Sequence, residues 1–308
     1  MGIANYIKEI GRGKEGARAL NREQAADLMG QVLDGAVTDL EVGAFCLAMR
    51  IKGETAQEMA GFLDATRQRL QLVPNAGQPT VVLPSYNGAR KLPVLTPLLA
   101  LLLAREGLAV LVHGMATETS RTSTQNVLET LGIRAQSAIE PIAIGSVHYL
   151  PTGLLCPGLA RLLDVRRVVG LRNPAHSLVK LMNPCSHPAL VVGSYTHPEY
   201  AVSMAQTFEL MGAHALLLRG TEGEPVADPR RQPAMDAFVA GKRLPLSAKQ
   251  EGPLAALPDL PTQVDAATTA AYTQAVLAGR LPVPTPIAAQ VKHLLELSQQ
   301  LLSSQATP

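Results

Sequence analysis

Residues 81–134 indicate the fold class of this chain. They begin Val81-Val-Leu-Pro-Ser-Tyr-Asn-Gly-Ala-Arg-Lys91, continue through an apolar run from Leu92 to Ala104, and go on as Gly107-Leu-Ala-Val-Leu-Val112 and His113-Gly-Met-Ala-Thr-Glu-Thr-Ser-Arg121. This pattern predicts strand, polar loop, buried helix, strand, polar loop and helix. Loops that follow neighbouring parallel strands face one crevice, where open α/β sheets bind ligands. Neither loop has a carboxylate before Glu118, so the crevice suits an anionic ligand.

The length predicts two domains, and the composition is typical of a globular protein. The 308 residues are 47% hydrophobic and 17% charged, which argues against disorder. The longest apolar run, 92–104, is too short to cross a bilayer, and the N-terminal residues lack the apolar segment of a signal peptide. The three cysteines are widely spaced, which is unlike a disulfide framework or a zinc site. We therefore expect a cytoplasmic protein that does not enter a membrane.

Positive charge is concentrated although the net charge is only +2. Five cations and two acids lie between Lys8 and Arg22, and five cations against Asp164 alone lie between Arg161 and Lys180. A concentrated cationic face attracts phosphates. The alternative for any one cluster is an ordinary solvated helix face.

Two domains are predicted because the sequence changes from helical patterns to alternating strand and helix patterns. Residues 1–72 are expected to form a small all-helical domain, with helices that begin at the caps Asn21, Thr38 and Thr55. The basic helical segment 156–185 is expected to pack back on it. Residues 78–155 and 186–308 are expected to form a larger α/β domain with a mostly parallel central sheet flanked by helices.

The predicted elements of the α/β domain are five strands, a long loop and a C-terminal helix. The loop is expected over residues 221–262, which are rich in proline and glycine, and the final helix runs from about Pro286 to Leu302. The strands are expected at Val81–Leu83, Ala109–Val112, Pro141–Gly145, Leu190–Ser194 and Ala215–Arg219.

The chain resembles the anthranilate phosphoribosyltransferase-like proteins, which share a fold with class II nucleoside phosphorylases. The resemblance rests on motifs spread over nearly the whole chain: Asp34-Gly35, Ala48-Met-Arg50, Lys52-Gly-Glu-Thr55, Asn126-Val-Leu-Glu-Thr-Leu-Gly132, Arg166-Arg-Val-Val-Gly-Leu-Arg172 and Asn183-Pro184. It implies the two-domain fold and a homodimer that forms through the helical domain.

The departures from that family fall in its substrate motifs. The enzymes cradle pyrophosphate with a glycine-rich loop, and here Pro84-Ser-Tyr-Asn-Gly-Ala89 keeps one glycine. Their second loop is Lys-His-Gly-Asn, and only His113 and Gly114 remain. Their adjacent Asp-Glu pair for magnesium becomes the separated Glu222 and Glu224, so the metal site is expected to be degraded.

Cations stand in or near the altered motifs. A resemblance to the YbiB-like branch of this family rests on Pro84-Ser-Tyr-Asn-Gly-Ala-Arg-Lys91, on Arg172-Asn-Pro-Ala-His176 with Lys180, and on Arg219-Gly-Thr-Glu-Gly-Glu224. That resemblance implies nucleic-acid binding with little sequence preference and no anthranilate transfer.

The first hypothesis is therefore a protein that binds nucleic acid, either DNA or RNA, without a cofactor. The expected phosphate contacts are Arg90, Lys91, Arg166, Arg167, Arg172 and Lys180, in a basic groove between the domains. Tyr86 could stack a base. In the alternative reading, Arg166 and Arg167 pin the domains together and Lys180 complements a helix dipole.

The second hypothesis is a phosphoribosyl or glycosyl transferase with an altered substrate, using magnesium with a phosphoribosyl compound. The family's substrate-loop positions would then serve it: Ser85, Tyr86, Asn87, Gly88, Thr96, His113, Gly114, Ser120 and Arg121, with Arg166 beside them. Its weakness is the loss of the donors and metal ligands that stabilise leaving pyrophosphate. His113 could equally be a core residue, and no single residue could be assigned as catalytic. A third reading, a scaffold that only dimerises, has no further support than apolar helix faces.

Overall fold

The N-terminal region of the computed structural model, which describes residues 2–13, 15–254 and 257–305, is helical as predicted. Its helices are α1 (Ala4–Ile10), α2 (Arg22–Asp34), α3 (Asp39–Lys52) and α4 (Ala56–Arg67). The three predicted N-caps are confirmed, because Asn21, Thr38 and Thr55 each form a reciprocal capping box with the residue three positions later. Phe45 and Phe62 pack edge to face in the centre of this region, with ring centroids 6.0 Å apart.

The segment 152–178 returns to these helices. It contains α7 (Thr152–Leu155), α8 (Pro157–Val169) and α9 (Ala175–Leu178). Helix α8 packs against α2, and Nη2 of Arg161 donates a 2.9 Å hydrogen bond to the carbonyl oxygen of Leu33. This segment therefore packs against the N-terminal helices.

A seven-stranded sheet forms the α/β part. Its strands β1 to β7 are Thr80–Ser85, Ala109–Gly114, Val147–Pro151, Leu190–Tyr195, Ala215–Arg219, Met235–Val239 and Lys242–Ser247. They lie in the order β3-β2-β1-β4-β5-β6-β7; β1 to β5 are parallel, β6 is antiparallel to β5, and β7 is antiparallel to β6. The predicted fold class, a small helical domain with a mostly parallel α/β domain, is confirmed.

Helices cover both faces of the sheet, as the strand sequences require. Val82, Val191 and Leu217 point to the face where α10 (Pro198–Leu210) and the N-terminal helices share one apolar core. Their neighbours Val81 and Val192 point to the opposite core. That opposite core is covered by α5 (Thr96–Arg105) and α12 (Thr285–Gln305), with α6 (Thr124–Thr130) and α11 (Ala266–Leu277) beside α5. Burial on both faces explains why these strands read as continuous apolar runs.

Two predictions about the α/β part are wrong. The strand expected at Pro141–Gly145 begins instead at Val147, because Gly145 lies in a turn with a φ of 72°. The predicted loop 221–262 contains the hairpin of β6 and β7. Its turn places Ala240 and Gly241 at positive φ, 47° and 79°. Such turns usually carry Asn-Gly or Asp-Gly, so Ala-Gly gave no hairpin signal.

Among the described residues, no helix combines the length and the apolar character needed to cross a membrane.

Candidate functional site

A cleft of about 740 Å³ opens at the carboxyl ends of β1 and β4, between the helical part and the sheet. The strands β1 and β4 pair only at Val81–Leu190 and Val82–Val191 and separate beyond them. From this point β1 leads through α5 to β2 on one side, whereas β4 leads through α10 to β5 on the other. A reversal of strand order is where doubly wound sheets bind ligands. We call this space the inter-domain cleft.

Cations outnumber carboxylates in the inter-domain cleft. The described residues that line it include five cations and three acids, namely Arg50, Arg90, Arg121, Arg172 and Lys180 against Glu54, Glu199 and Glu222. Tyr195, His197 and Tyr200 add rings from the end of β4 and the start of α10. Low-dielectric walls strengthen the field of such a set of charges, so the cleft favours an anion that also carries a flat ring.

The sequence-predicted cations do not all lie in this cleft. Arg90, Arg172 and Lys180 line it. Lys91 is exposed, and its backbone N–H donates to Glu222. Arg167 is exposed and pairs with Asp164 at 3.0 Å, while its Nη2 donates to the carbonyl oxygen of Ala116.

Glu118 gathers three of the arginines. Its Oε1 lies 2.7 Å from Nη2 of Arg166 and 3.5 Å from Arg172, and its Oε2 lies 2.9 Å from Nε of Arg121. Burial acts to raise the pKa of Glu118, but the hydrogen bond from Arg166 and the three positive charges outweigh it and lower the pKa. Burial and then the charge of Arg166 lower the pKa of Arg172. One carboxylate cannot neutralise three guanidinium groups, so the cluster keeps an excess of positive charge.

Lys180 lies at the floor of the cleft and is only 8% exposed. Its Nζ donates to the carbonyl oxygens of Gly223, at 2.8 Å, and Ser194, at 3.3 Å. Burial lowers the pKa of Lys180 to about 8, and the charge of Glu224 opposes that shift. Lys180 therefore holds the chain around Gly223 in place and offers little surface to a large ligand.

The loop after β1 is filled by a carboxylate of this chain. The backbone N–H groups of Asn87 and Gly88 donate to Oε1 of Glu224 at 2.7 and 2.9 Å. Oε2 accepts from Ser85 and from the hydroxyls of Thr96, at 3.1 Å, and Thr124, at 3.3 Å. Glu224 is 1% exposed, and these five donors satisfy it.

Glu222 accepts hydrogen bonds from two residues further along the loop. The N–H of Arg90 donates to Oε2 of Glu222 at 2.5 Å, and that of Lys91 donates to Oε1 at 2.9 Å. Among the described residues, no group of three or more His, Cys, Asp or Glu side chains could hold a metal ion. Since both carboxylates already accept hydrogen bonds from the loop, this site does not fit magnesium.

Tyr86 is buried, so the expectation that it stacks a base is wrong. Its hydroxyl lies 2.7 Å from Nδ1 of His113 and accepts a 3.0 Å hydrogen bond from Thr152. Burial lowers the pKa of His113 to about 3. His113 is thus a neutral, buried residue that anchors the loop. This agrees with the alternative stated above, in which His113 is a core residue. Gly114 ends β2, where a side chain would collide with the carbonyl oxygen of Ser85, and Ser120 is exposed on the turn before Arg121.

Several lining residues were missed at the sequence level. Arg50 was named only within a family motif, and of residues 194–200 only Ser194 was placed, at the end of a predicted strand. The signal for the latter was their place: Ser194-Tyr-Thr-His-Pro-Glu-Tyr200 follows a central parallel strand, where ligand contacts are expected. Nothing in the sequence alone places Arg50 opposite that strand end.

The chain has relatives among characterised and uncharacterised proteins. Residues 4–70 match the family described as "Glycosyl transferase family, helical bundle domain". The chain is 40% identical over 304 residues to the uncharacterized protein YbiB of Escherichia coli, covering 94% of this chain and 92% of YbiB. It is 32% identical to the anthranilate phosphoribosyltransferase of Symbiobacterium thermophilum, over 70% of this chain and 64% of that enzyme.

Solved structures share the fold over most of the chain. Anthranilate phosphoribosyltransferase from Thermus thermophilus superposes with a TM-score of 0.74 at 22% identity, covering 97% of this chain and 94% of that one. The Saccharomyces cerevisiae enzyme, solved in complex with phosphoribosyl pyrophosphate and magnesium, superposes with a TM-score of 0.69 at 16% identity, covering 97% of this chain and 89% of that one. The motifs, the fold and the similarity to YbiB together show that this chain belongs to the anthranilate phosphoribosyltransferase-like family of glycosyltransferases.

Proposed function

We propose that this protein binds nucleic acid, either DNA or RNA, with little sequence preference through the inter-domain cleft. The observation that carries the proposal is the set of five cations that line the cleft against three lining acids. Of the five, Lys180 is buried, and Arg121 and Arg172 share the carboxylate of Glu118, so Arg50 and Arg90 are the cations most open to a ligand. Phosphates of a nucleic-acid backbone are the anions that such a row of cations takes without reading a base.

The rings in the cleft favour single strands over duplexes. Tyr195 and Tyr200 are half-buried, and His197 is exposed beside Tyr200 with ring centroids 6.4 Å apart. Unpaired bases stack on such rings, whereas paired bases do not present their faces. These residues take the role that the sequence assigned to Tyr86.

The guanidinium of Arg90 is exposed and therefore accessible to a ligand that enters the cleft. Within residues 2–13, 15–254 and 257–305 it has no ion-pair partner, unlike Arg121, Arg166 and Arg172 around Glu118. An unpaired cation loses no internal contact when it binds phosphate. We therefore infer that Arg90 and Arg50 bind the backbone while the cluster of Glu118 supplies the general field.

Fluorescence anisotropy with labelled oligonucleotides tests the proposal. Single strands of several unrelated sequences should bind with similar affinity, and binding should weaken log-linearly as salt rises. Binding that is unchanged by salt, or that selects one sequence, would contradict it.

A small phosphoribosyl or glycosyl compound is the second candidate ligand. The volume of about 740 Å³ lies in the range of small-molecule sites. Under this alternative the chain is a transferase with an altered substrate, or it retains binding without transfer. A competition experiment distinguishes this alternative from nucleic-acid binding. A small molecule that binds in the cleft should displace a labelled oligonucleotide, with a midpoint set by the dissociation constant of the small molecule.

We also propose a homodimer that forms through the helical part. Leu40, Leu47 and Ile51 are 84%, 46% and 63% exposed on α3. Their spacing of seven and four residues places them on one helix face, and Val168 on α8 is 89% exposed. Clusters of exposed large apolar side chains mark interaction surfaces. Sedimentation should find a dimer at micromolar concentration, and Leu47→Glu with Ile51→Glu should give a folded monomer.

A further inference from the structure

We propose that the loop after β1 is an intact anion-binding site whose permanent occupant is the chain's own Glu224 carboxylate. The inference goes beyond nucleic-acid binding and does not depend on it. It concerns which anions the loop can accept and why phosphate from solution is not one of them.

The donors around Glu224 have the arrangement of an anion site. Two successive backbone N–H groups, of Asn87 and Gly88, converge on one carboxylate oxygen, which is how loops bind phosphate or sulfate. Three hydroxyls, from Ser85, Thr96 and Thr124, converge on the other. Thr96 is also the first residue of α5, whose N-terminus carries partial positive charge. The loop has therefore kept its donors although it has lost its glycines.

The turn that carries Glu224 is shaped to deliver the carboxylates. Glu222 has a φ of 53°, which is rare for a residue with a side chain. The carbonyl oxygen of Gly223 accepts from Nζ of Lys180 and from Oγ of Ser194, each at 2.8 Å. A side chain at Gly223 would collide with Nδ2 of Asn87. The turn is thus fixed against the loop, with Glu224 inside it and Glu222 across the N–H groups of Arg90 and Lys91.

An internal carboxylate excludes external anions by its effective concentration. Glu224 needs no diffusion and no ordering from solution, so a free phosphate competes against a ligand that is already in place. Removing the side chain beyond Cβ leaves two N–H groups and three hydroxyls facing an empty buried space. A small carboxylate such as acetate has the size and charge to refill it.

Chemical rescue tests the inference. Glu224→Ala is unfolded in denaturant and refolded in sodium acetate or in sodium chloride at equal ionic strength. Acetate should raise the midpoint of thermal unfolding of Glu224→Ala by about 2–4 °C when present at about ten times its dissociation constant. Amide hydrogen exchange at Asn87 and Gly88 should be fast in chloride and slowed by acetate, which locates the bound anion.

Three controls make each outcome decisive. The wild type and Glu224→Gln should show no difference between the two salts, because a carboxylate or an amide side chain fills the site. Leu294→Ala removes buried volume from α12 without removing a charge and should respond to neither salt. The inference is overturned if acetate acts equally on Leu294→Ala, if it does not protect Asn87 and Gly88, or if Glu224→Ala stays unfolded in both salts while Glu224→Gln folds. Nucleic-acid binding is not a readout, so the proposed function stands or falls separately.

Discussion

Nη2 of Arg166 donates a 2.7 Å hydrogen bond to Oε1 of Glu118. The bond joins α8, which packs on the N-terminal helices, to the loop after β2. The same carboxylate also holds Arg121 and lies close to Arg172, which both line the inter-domain cleft. Arg166 does not line the cleft, but it links the helical part to the α/β part. It also fixes the Glu118 carboxylate, which positions the two arginines that line the cleft.

Replacing Glu118 by Gln should destabilise the protein more than replacing an exposed acid. The substitution leaves three neighbouring guanidinium groups without a counter-charge, and Nη1 of Arg166, which is buried, already has no hydrogen-bond partner within the described residues. Because the side chains around Glu118 are 16% to 33% exposed, we expect a loss of about 1–3 kcal/mol in the free energy of unfolding. Urea unfolding measures it.

The matched control for Glu118→Gln is Glu251→Gln. Glu251 is 78% exposed and pairs with Lys249 at 3.1 Å. An exposed pair of this kind contributes roughly 0–1 kcal/mol. Equal losses for the two variants would show that the arginine cluster does not depend on Glu118.

Stability should fall as the pH is lowered from about 6.5 toward 5. Burial lowers the pKa of both His113 and His176 to about 3, so in this range they are neutral when folded and take up protons when unfolded. The unfolded state then binds more protons, and the free energy of unfolding decreases with falling pH. Each histidine should contribute a loss of roughly 1–2 kcal/mol between pH 6.5 and 5.

His176→Gln checks the assignment of this pH dependence. The variant keeps a polar side chain near Asn173 but cannot titrate. The decrease in the free energy of unfolding between pH 6.5 and 5 should therefore be smaller by the contribution of one histidine. Denaturant unfolding at several pH values gives both slopes. An unchanged slope would mean that His176 is not neutral in the folded protein.

The fold could be predicted from the sequence where local and tertiary signals agree. The capping boxes that begin α2, α3 and α4 and the buried strands β1, β2, β4 and β5 each have a local sequence pattern, which the tertiary structure follows. The hairpin of β6 and β7 carries none, because its turn is Ala240-Gly241 and its edge strand contains Pro245. Pro is tolerated there since an edge strand need not donate at every position.

The candidate site could be predicted only in part, because its central contacts join residues that are distant in the sequence. Ser85 and Glu224 are 139 positions apart, and no local pattern indicates that one fills the loop of the other. The sequence showed that Glu222 and Glu224 are not adjacent, and from that it predicted a degraded metal site. It could not show that both carboxylates had been turned onto the loop. Burial of Tyr86 and Lys180 likewise depends on packing, not on spacing.

Anthranilate should not be converted with phosphoribosyl pyrophosphate and magnesium. Glu224 occupies the N–H groups of the loop after β1, and neither Glu222 nor Glu224 is free to bind the metal, so developing negative charge on a leaving pyrophosphate has no partner there. Loss of anthranilate fluorescence measures the reaction. An anthranilate phosphoribosyltransferase assayed in parallel is the positive control, and turnover at about 1 per second or faster would contradict the prediction.

Tyr200→Leu should weaken the binding of single-stranded DNA more than the binding of duplex DNA. The substitution keeps an apolar side chain against the core of α10 but removes the ring, so a stacked base would lose about 1–3 kcal/mol of binding free energy. The slope of affinity against salt should not change, because no phosphate contact is removed. Anisotropy titrations with single and double strands of one sequence give both quantities. Equal weakening of both forms would show that Tyr200 does not stack a base.

Arg90→Ala should weaken the binding of all nucleic-acid sequences alike and reduce the dependence of the affinity on salt concentration. The exposed guanidinium at the cleft wall would bind one phosphate, and each phosphate neutralised contributes a slope of about −0.7 on single strands and −0.9 on duplexes in a plot of log affinity against log salt. The variant should therefore flatten that slope by about this amount, with no change in sequence preference. Lys249→Ala is the matched control, because Lys249 is exposed, lies outside the cleft-lining residues and pairs with Glu251. It should change neither affinity nor slope. If the two variants behave alike, phosphates are not bound in the inter-domain cleft, and the bound nucleic acid must lie on another face.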